Sequence, residues 1–484
     1  MRTPTAPDEW RSMQRKTKII CTIGPASESY QMLEKLARAG MDVARLNFSH
    51  GTYEEHAQRI ENVRRVSRAV GRPLGVLQDL PGPKIRTGKL KADKVWLQDG
   101  AEITLTTESI LGDEHRVSVT LDSLARDVHP GDSIFVNDGI IRLEVQDTTD
   151  TEIRCLIVAG GVLTQMKGIN VPGVKLSTNA VTDDDLRHLA FGLEHGIDFV
   201  ALSFITNAGD INKAKEFIRA SGADVPVIAK IERSEALKNI DEIIQAADIV
   251  MVARGDLGVE VPLRRVPIEQ KTIVAKCNVV GKPVIVATQM LESMVYAPRP
   301  TRAEASDVAN AIFDGADAIM LSEETATGSF PVQAAGTMAA IAIEAAGALP
   351  YQAILSKKVD SVIPQPDDAI SYAAVSIAEQ VGANAILAFT TSGSTAMRVA
   401  KYRPKCPILA ITTNERILRR LALVWGLTPL LTEEYRSMEE LYATGSDLAR
   451  RAGVAGTGDL VVITAGVPFS VAGNTNILKV HQLL

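Results

Sequence analysis

The chain has 484 residues, too many for one hydrophobic core, and a prior of about 150 residues per domain points to roughly three domains. Hydrophobic residues make up 46% and charged residues 23%, which excludes a disordered chain, while 4% aromatic residues leave few platforms for stacking nucleic-acid bases. A net charge of -6 argues against nucleic acid or an anionic membrane as a general partner, so any anionic ligand must be met by a local basic pocket.

The first sixteen residues mix Arg2, Arg11, Arg15 and Lys16 with Asp8, Glu9 and Trp10, hold no apolar stretch of signal-peptide length, and read as a short surface arm. From Thr17 onward, short apolar, β-branched runs are each followed by a segment of helical spacing, the pattern of βα units on a parallel sheet. Eight runs fit: KIICTI (18–23), VARLN (43–47), LGVLQD (74–79), FVALSF (199–204), VIAKIE (227–232), IVMVAR (249–254), VIVAT (284–288) and AIMLSE (318–323). They predict an α/β fold, a (β/α)8 TIM barrel over 17–81 and 181–349, with its chemistry at the strands' C-terminal ends.

Residues 82–180 have a different texture, in which EITLTT, HRVSVT, SIFVND and IIRLEV alternate apolar with polar positions. They predict an inserted all-β domain, expected as a β-barrel, placed as a lid over the catalytic face. After a helix ending near Leu349, AILAF, ILAIT and LVVIT alternate with helical stretches, so 350–484 reads as a separate α/β domain. Cys21, Cys155, Cys277 and Cys406 form no CxxC pair, which fits a reducing, cytoplasmic location, and no run of 18 apolar residues predicts a membrane span.

Charged and hydroxyl residues gather where the apolar runs end. AKIERSEA places Lys230 and Glu232 two residues apart, on one side of an extended strand, delivering a cation and a metal-seeking carboxylate together. ARGDLGVE sets Asp256 among glycines at a helix start, which offers free backbone N–H groups and a second carboxylate. Mg²⁺ takes one or two protein carboxylates and completes its octahedron with water and substrate oxygens, which Glu232 and Asp256 satisfy. A rim salt bridge and a plain turn would account for each motif singly. ARLNFSHG adds Arg45, Asn47, Ser49 and His50, QDLPGPKIRTG adds Asp79, Lys84 and Arg86, and ATQMLESM adds Thr288. A solvated face does not gather so many polar groups just beyond buried runs. His50, without a partner, fits a structural hydrogen-bond role equally well.

TIGPAS, ARLNFSHG, GPKIRTG, AKIE, ARGDLGVE, ATQMLESM and PTRAEASDVANAIFDGADAIMLSEETATG, in this order over nearly the whole chain, resemble the motifs of pyruvate kinases. The resemblance implies a barrel, a β-rich lid, a C-terminal regulatory domain and a homotetramer. It implies Mg²⁺-dependent phosphoryl transfer from phosphoenolpyruvate to ADP, giving pyruvate and ATP, the last step of glycolysis, with Mn²⁺ as a possible substitute. By position it makes Lys230 the phosphoryl-stabilising lysine, Glu232 and Asp256 the metal ligands, and Gly255, Asp256 and Thr288 the substrate-carboxylate site. Arg45 matches the substrate-phosphate arginine, Ser203 a serine near the substrate, and Asn47, His50, Arg86 and Lys167 the nucleotide side. Thr288 is expected to position a water relay for the proton, since Thr itself is too weak an acid near neutral pH.

Asn47, Ser49 and Asp79 match three positions of the family's monovalent-cation pocket, and Leu80 stands where the family has a Thr whose carbonyl helps hold the ion. K⁺-requiring members read D-T-K-G-P-E, whereas this chain reads Asp79-Leu80-Pro81-Gly82-Pro83-Lys84. The Lys84 ammonium at the Glu position is expected to replace K⁺, because two cations crowded together repel. TTSGSTA (390–396) resembles the effector phosphate loop, in which Thr390, Thr391, Ser392, Ser394 and Thr395 offer hydroxyls and backbone N–H groups. Members responsive to fructose bisphosphate carry a basic residue in this loop. The neutral Thr391 and Ser394 therefore point to a phosphorylated effector with one phosphate, such as AMP or a sugar monophosphate. An N-capped helix start is the plainer reading.

Two other classes stay open. Lyases acting at pyruvate also use Mg²⁺-enolate barrels but need neither a lid nor Arg86 and Lys167, so a failure to bind ADP would point there. A non-catalytic metabolite sensor would keep the fold and bind sugar phosphates through its C-terminal domain, against which Lys230, Glu232 and Asp256 argue.

Overall fold

The computed structural model describes residues 15–137, 139–469 and 473–484. Eight parallel strands form a closed barrel: β1 (Lys18–Thr22), β2 (Val43–Asn47), β3 (Gly75–Asp79), β4 (Phe199–Leu202), β5 (Val227–Ile231), β6 (Ile249–Ala253), β7 (Val284–Ala287) and β8 (Ala318–Leu321). They follow one another in chain order around the barrel, and β8 pairs with β1. Intervening helices begin at caps legible in the sequence, with Thr52, Thr182 and Thr301 each forming a capping box with the acidic residue three positions on.

The runs look continuously apolar because successive residues bury on opposite sides. Ile19, Cys21, Ala44, Val76, Val200 and Val250 pack outward against helices, whereas Ile20, Val43, Leu77, Ala201, Ile228 and Met251 fill the lumen. Two residues further along each lumen-facing phase stand Thr22, Arg45, Asp79, Ser203 and Lys230, so the apolar lumen ends in a polar layer.

At the opposite mouth, Asp42, Asp198, Asp248 and Asp317 each accept the backbone N–H of an early strand residue, respectively Ile19, Val76, Val227 and Val284. Arg15 and Arg72 pair with Asp42, Arg64 and Arg419 with Asp198, Lys215 with Asp248, and Arg403 with Asp317. Arg403 and Arg419 come from the C-terminal region, as does fully buried Leu423, which joins the lumen cluster from below. Arg15 and Lys16 depart from the surface-arm expectation: both are buried, Arg15 against Asp42 and Lys16 against the carbonyl of Cys406. For Arg15 the buried Asp42 supplies the counter-ion that offsets lost solvation, whereas Lys16 meets that carbonyl and the ring of Trp425. The rest of that expected arm, residues 1–14, lies outside the described residues.

The insert carries a six-stranded sheet in the spatial order Ile169–Asn170, Ser133–Val136, Ile141–Thr148, Glu152–Ala159, Glu102–Thr106 and Arg116–Ser118. A separate ribbon pairs Lys94–Leu97 with Gly161–Thr164. Residues 85–88 bridge the two outer strands of the six-stranded sheet: the Ile85 carbonyl accepts from the Ile169 N–H, the Thr87 N–H donates to the Lys167 carbonyl, the Gly88 N–H to the Ser118 carbonyl and the Thr120 N–H to the Arg86 carbonyl, so backbone hydrogen bonds join both edges. In the C-terminal region, Leu427–Leu431, Ile408–Thr412, Ala385–Phe389 and Leu460–Ala465 run parallel, and Ile477–Gln482 adds an antiparallel edge. The first and last of these escaped the sequence reading, one because it contains Pro429 and the other because Lys479, His481 and Gln482 dilute its apolar pattern. Among the described residues no single helix is long and apolar enough to cross a membrane.

Candidate active site

The polar layer is organised around Asp79 at the end of β3. Its Oδ2 accepts from Arg45 Nε at 2.7 Å, and its Oδ1 lies 3.2 Å from Lys230 Nζ. Arg45 also donates to Thr22 Oγ1 at 2.9 Å, which fixes the plane of the guanidinium. Lys230 Nζ donates to Ser203 Oγ at 2.7 Å and lies 2.8 Å from Glu232 Oε1, while Glu232 Oε2 accepts the backbone N–H of Phe204 at 2.7 Å. Lys230 and Glu232 do share one face of β5, as their spacing predicts.

Charge and burial together set the protonation of this cluster. Burial disfavours the Lys230 ammonium, but Asp79 and Glu232 overcome it and hold Lys230 above its ordinary value. Asp79 lies below the usual carboxylate range, burial being outweighed by Lys230 and Arg45. Burial pushes Glu232 up to about 7 against the pull of Lys230, and nearby Asp256 adds to the rise. Two carboxylates that repel in this way form a hard-oxygen donor set which a divalent cation such as Mg²⁺ or Mn²⁺ would relieve.

Asp256 lies in the first turn of helix Arg254–Glu260, directly after β6. There the backbone N–H of Gly255 donates to Thr288 Oγ1 at 2.7 Å, and Thr288 Oγ1 donates to the carbonyl of Ala287 at 2.6 Å. Thr288 has a φ of +70°, unfavourable for a β-branched residue, and Phe204 and Gln289 are also left-handed, at +56° and +53°. Such strain persists where the surroundings over-determine it. Arg254 supplies part of that restraint, donating to the Thr288 carbonyl at 2.8 Å and to Asp307 at 2.8 Å.

On the other side, the base of the insert brings Arg86 and Lys167 together. Arg86 bridges Gly168 and donates to the Met166 carbonyl at 2.9 Å, while the N–H of Lys167 donates to Thr87 Oγ1 at 2.9 Å. Partial burial, followed by the charges of Lys84, Arg86 and Arg45, holds exposed His50 below its ordinary value, hence neutral at pH 7. Its carbonyl accepts from His56 Nε2 at 2.9 Å. Asn47 Oδ1 accepts the N–H of Ser49 at 3.1 Å, and the carbonyl of Leu80 accepts from Ser203 Oγ at 2.8 Å. A cleft lies between insert and barrel, with Lys84, Asn170, Phe204, Arg233, Asp256 and Glu260 in its walls. Burial pushes the Glu260 carboxyl up against the pull of Arg233.

Sequence reasoning missed Thr22, Arg254, Arg233 and Glu260 as contributors. All four lie in or beside quoted motifs, so their positions were visible, but their partners are far away in the chain. The loop at 390–395 lies far from this cluster in the fold, at the start of helix Ser394–Lys401 in the C-terminal sheet. Thr390 and Thr395 are buried and bonded inward, to the N–H of Gly393 and to Thr475 Oγ1, so they brace the loop, and Thr391 and Ser392 are exposed.

Barrel and insert define a (β/α)8-barrel protein with a buried charged layer at the C-terminal mouth of its strands. Residues 14–335 match the pyruvate kinase barrel domain and residues 368–481 the pyruvate kinase alpha/beta domain. The chain belongs to the pyruvate kinase family, whose members use phosphoenolpyruvate, ADP and a divalent metal. It is 49% identical over 474 residues to a pyruvate kinase of Geobacillus stearothermophilus, covering 97% of this chain and 81% of the relative. A pyruvate kinase of Clostridium acetobutylicum is 44% identical over 469 residues, covering 96% of this chain and 99% of the relative. Among solved structures, a pyruvate kinase from Cryptosporidium parvum superposes with a TM-score of 0.93 at 35% identity, covering 99% of this chain and 98% of that one.

Proposed function

We propose that this chain transfers the phosphoryl group of phosphoenolpyruvate to ADP with Mg²⁺ held by Glu232 and Asp256, and that Mn²⁺ can substitute. The observation that carries the assignment of roles is the buried Lys230, kept cationic between Asp79, Glu232 and Ser203 at the barrel mouth. Phosphoryl transfer asks the protein for alignment and for charge opposite the spreading negative charge, not for covalent chemistry. The P–O bond to the enol oxygen breaks as a bond to the ADP β-phosphate oxygen forms, and the enolate left behind takes a proton at carbon.

Arg45, fixed by Asp79 and Thr22, addresses the substrate phosphate, and Lys230 faces the group in flight. The N-terminal turn at Gly255 and Asp256, shaped by Thr288, receives the substrate carboxylate. When bound, the divalent cation supplies further positive charge to the phosphate and the enol oxygen. Thr288, whose hydroxyl is engaged with Gly255 and Ala287, orders water for the proton rather than donating it. Ser203 steadies Lys230. Asn47, His50, Arg86 and Lys167 receive the nucleotide, with the insert (82–180) as a lid over the barrel (17–81 and 181–349).

Lys84 replaces K⁺ in this reading. What supports it is that the Asp79 oxygens already meet Arg45 and Lys230, the Leu80 carbonyl already accepts from Ser203, and Lys84 contributes positive charge beside His50. A phosphorylated effector with a single phosphate is assigned to the loop around Thr391, Ser392 and Ser394 in the regulatory domain (350–484). We further place the chain in the cytoplasm as a homotetramer. The test is a coupled assay with phosphoenolpyruvate, ADP and Mg²⁺, varying K⁺, AMP and sugar monophosphates separately. Turnover dependent on both substrates and on the divalent cation is expected; absence of ADP binding would defeat the reading in favour of a lyase.

A further inference from the structure

Arg233 directly follows Glu232 in sequence and is only 6% exposed at the barrel rim. Its Nη2 donates to the carbonyl of Val174 at 3.1 Å. Val174 belongs, with Val171, to the hydrophobic core of the insert, so this bond crosses from barrel to lid on the segment that returns the chain to the barrel. Its Nε has no hydrogen-bond partner but lies 3.7 Å from Glu235 Oε2, and the charge of Arg233 also acts on nearby Glu260. Arg233 also lines the cleft beside Phe204, Asp256 and Glu260.

Burying an arginine without a close bidentate carboxylate is unfavourable, and an apolar side chain of similar volume would serve barrel packing better. Glu235 offers only a long ion pair at 3.7 Å, so the directed contact the guanidinium makes is the hydrogen bond to Val174. Its place in the chain sharpens the point. Glu232 contacts Lys230 and the N–H of Phe204, and the next residue holds the lid's return segment, so one strand end sets both metal corner and lid.

We propose that Arg233 is a positioning residue that fixes the lid over the metal corner through the Val174 carbonyl, bringing Arg86 and Lys167 into register with Lys230. The proposal rests on the assignment of the nucleotide to the lid cleft made above. Losing a charge-assisted hydrogen bond at the hinge raises the KM for ADP about tenfold or more in Arg233→Met, while the KM for phosphoenolpyruvate stays within about twofold. Arg233→Lys, whose ammonium can reach the same carbonyl, recovers part of the loss.

The second readout is amide hydrogen exchange, which needs no turnover. Exchange across 171–176 quickens in Arg233→Met and slows again in Arg233→Lys, while barrel strand 199–202 is unchanged. A parent enzyme without turnover on phosphoenolpyruvate and ADP would defeat the functional reading itself. Parent turnover with an unchanged ADP KM and unchanged exchange at 171–176 in Arg233→Met overturns the positioning role alone. Exchange that rises throughout the barrel, with both KM values altered alike, overturns it too, because that marks a merely structural residue.

Discussion

Replacing Lys230 by Met removes one charge from the centre of the site while keeping most of the side chain's length. In the structure Nζ meets Ser203 at 2.7 Å, Glu232 at 2.8 Å and Asp79 at 3.2 Å, so the change touches both fold and chemistry. The cost to the fold is bounded. Breaking a buried pair typically costs about 3–5 kcal/mol, but Asp79 keeps Arg45 at 2.7 Å, and Glu232, already pushed up to about 7, escapes by protonation. A loss of about 1–3 kcal/mol is expected, which leaves the protein folded at assay temperature. The chemistry suffers more. An oriented donor aimed at developing charge accounts for about 10²–10³ in kcat, and a buried full charge does at least as much, so a loss of about 10³-fold or about 4 kcal/mol follows. Substrate binding should weaken by only about tenfold, because Arg45 and the Gly255 turn remain. A coupled assay gives kcat, equilibrium dialysis gives phosphoenolpyruvate affinity, and a circular-dichroism melt checks the fold. A kcat within about tenfold of the parent would refute the reasoning.

Glu232→Ala and Asp256→Ala should each shift the Mg²⁺ activation curve to higher concentration and lower kcat; curves that overlay the parent's remove both residues from the metal corner. The parent should turn over fully in buffer free of K⁺ and Na⁺, and Lys84→Glu should acquire a K⁺ requirement; dependence of the parent itself on K⁺ defeats that assignment. Arg403→Met strips buried Asp317 of its cation and Trp425 of the guanidinium over its ring, so denaturant unfolding should report a loss of about 3–5 kcal/mol, and a change under about 1 kcal/mol would count against the pairing. Burial, aided by Arg403, lowers Lys358 to about 7. Above that pH the folded Lys358 is neutral while the unfolded one still binds its proton, so stability should rise from pH 7 toward 9, and Lys358→Met should flatten that rise.

The barrel and its polar layer were legible because one periodicity runs unbroken through both. Val43 leads to Arg45, Leu77 to Asp79 and Ile228 to Lys230, each two residues on, so the phase that fills the lumen also aims the chemistry. What sequence could not supply was pairing between distant segments. Spacing gives no sign that Arg45 and Lys230 meet the two oxygens of Asp79. Nothing in the sequence links Arg233 to the Val174 carbonyl that it meets in the fold. Arg15 and Lys16 likewise gave no sign that buried acceptors awaited them.

The two mouths of the barrel solve opposite electrostatic problems, and the difference separates scaffold from site. On the floor, Asp42, Asp198, Asp248 and Asp317 each already have a cation as well as a backbone N–H to hold, so nothing there calls for a further charge. At the catalytic mouth Arg45 and Lys230 face Asp79, Glu232 and Asp256, two cations against three carboxylates. Burial drives Glu232 up toward neutrality despite the ammonium 2.8 Å away, and nearby Asp256 adds to the rise. Left so, the mouth would repel a polyanionic substrate. In the proposed reading, a divalent cation at Glu232 and Asp256 would offset these carboxylates, favour the ionised form of Glu232 and leave Lys230 and Arg45 to face the phosphate, so metal dependence would follow from the charge balance.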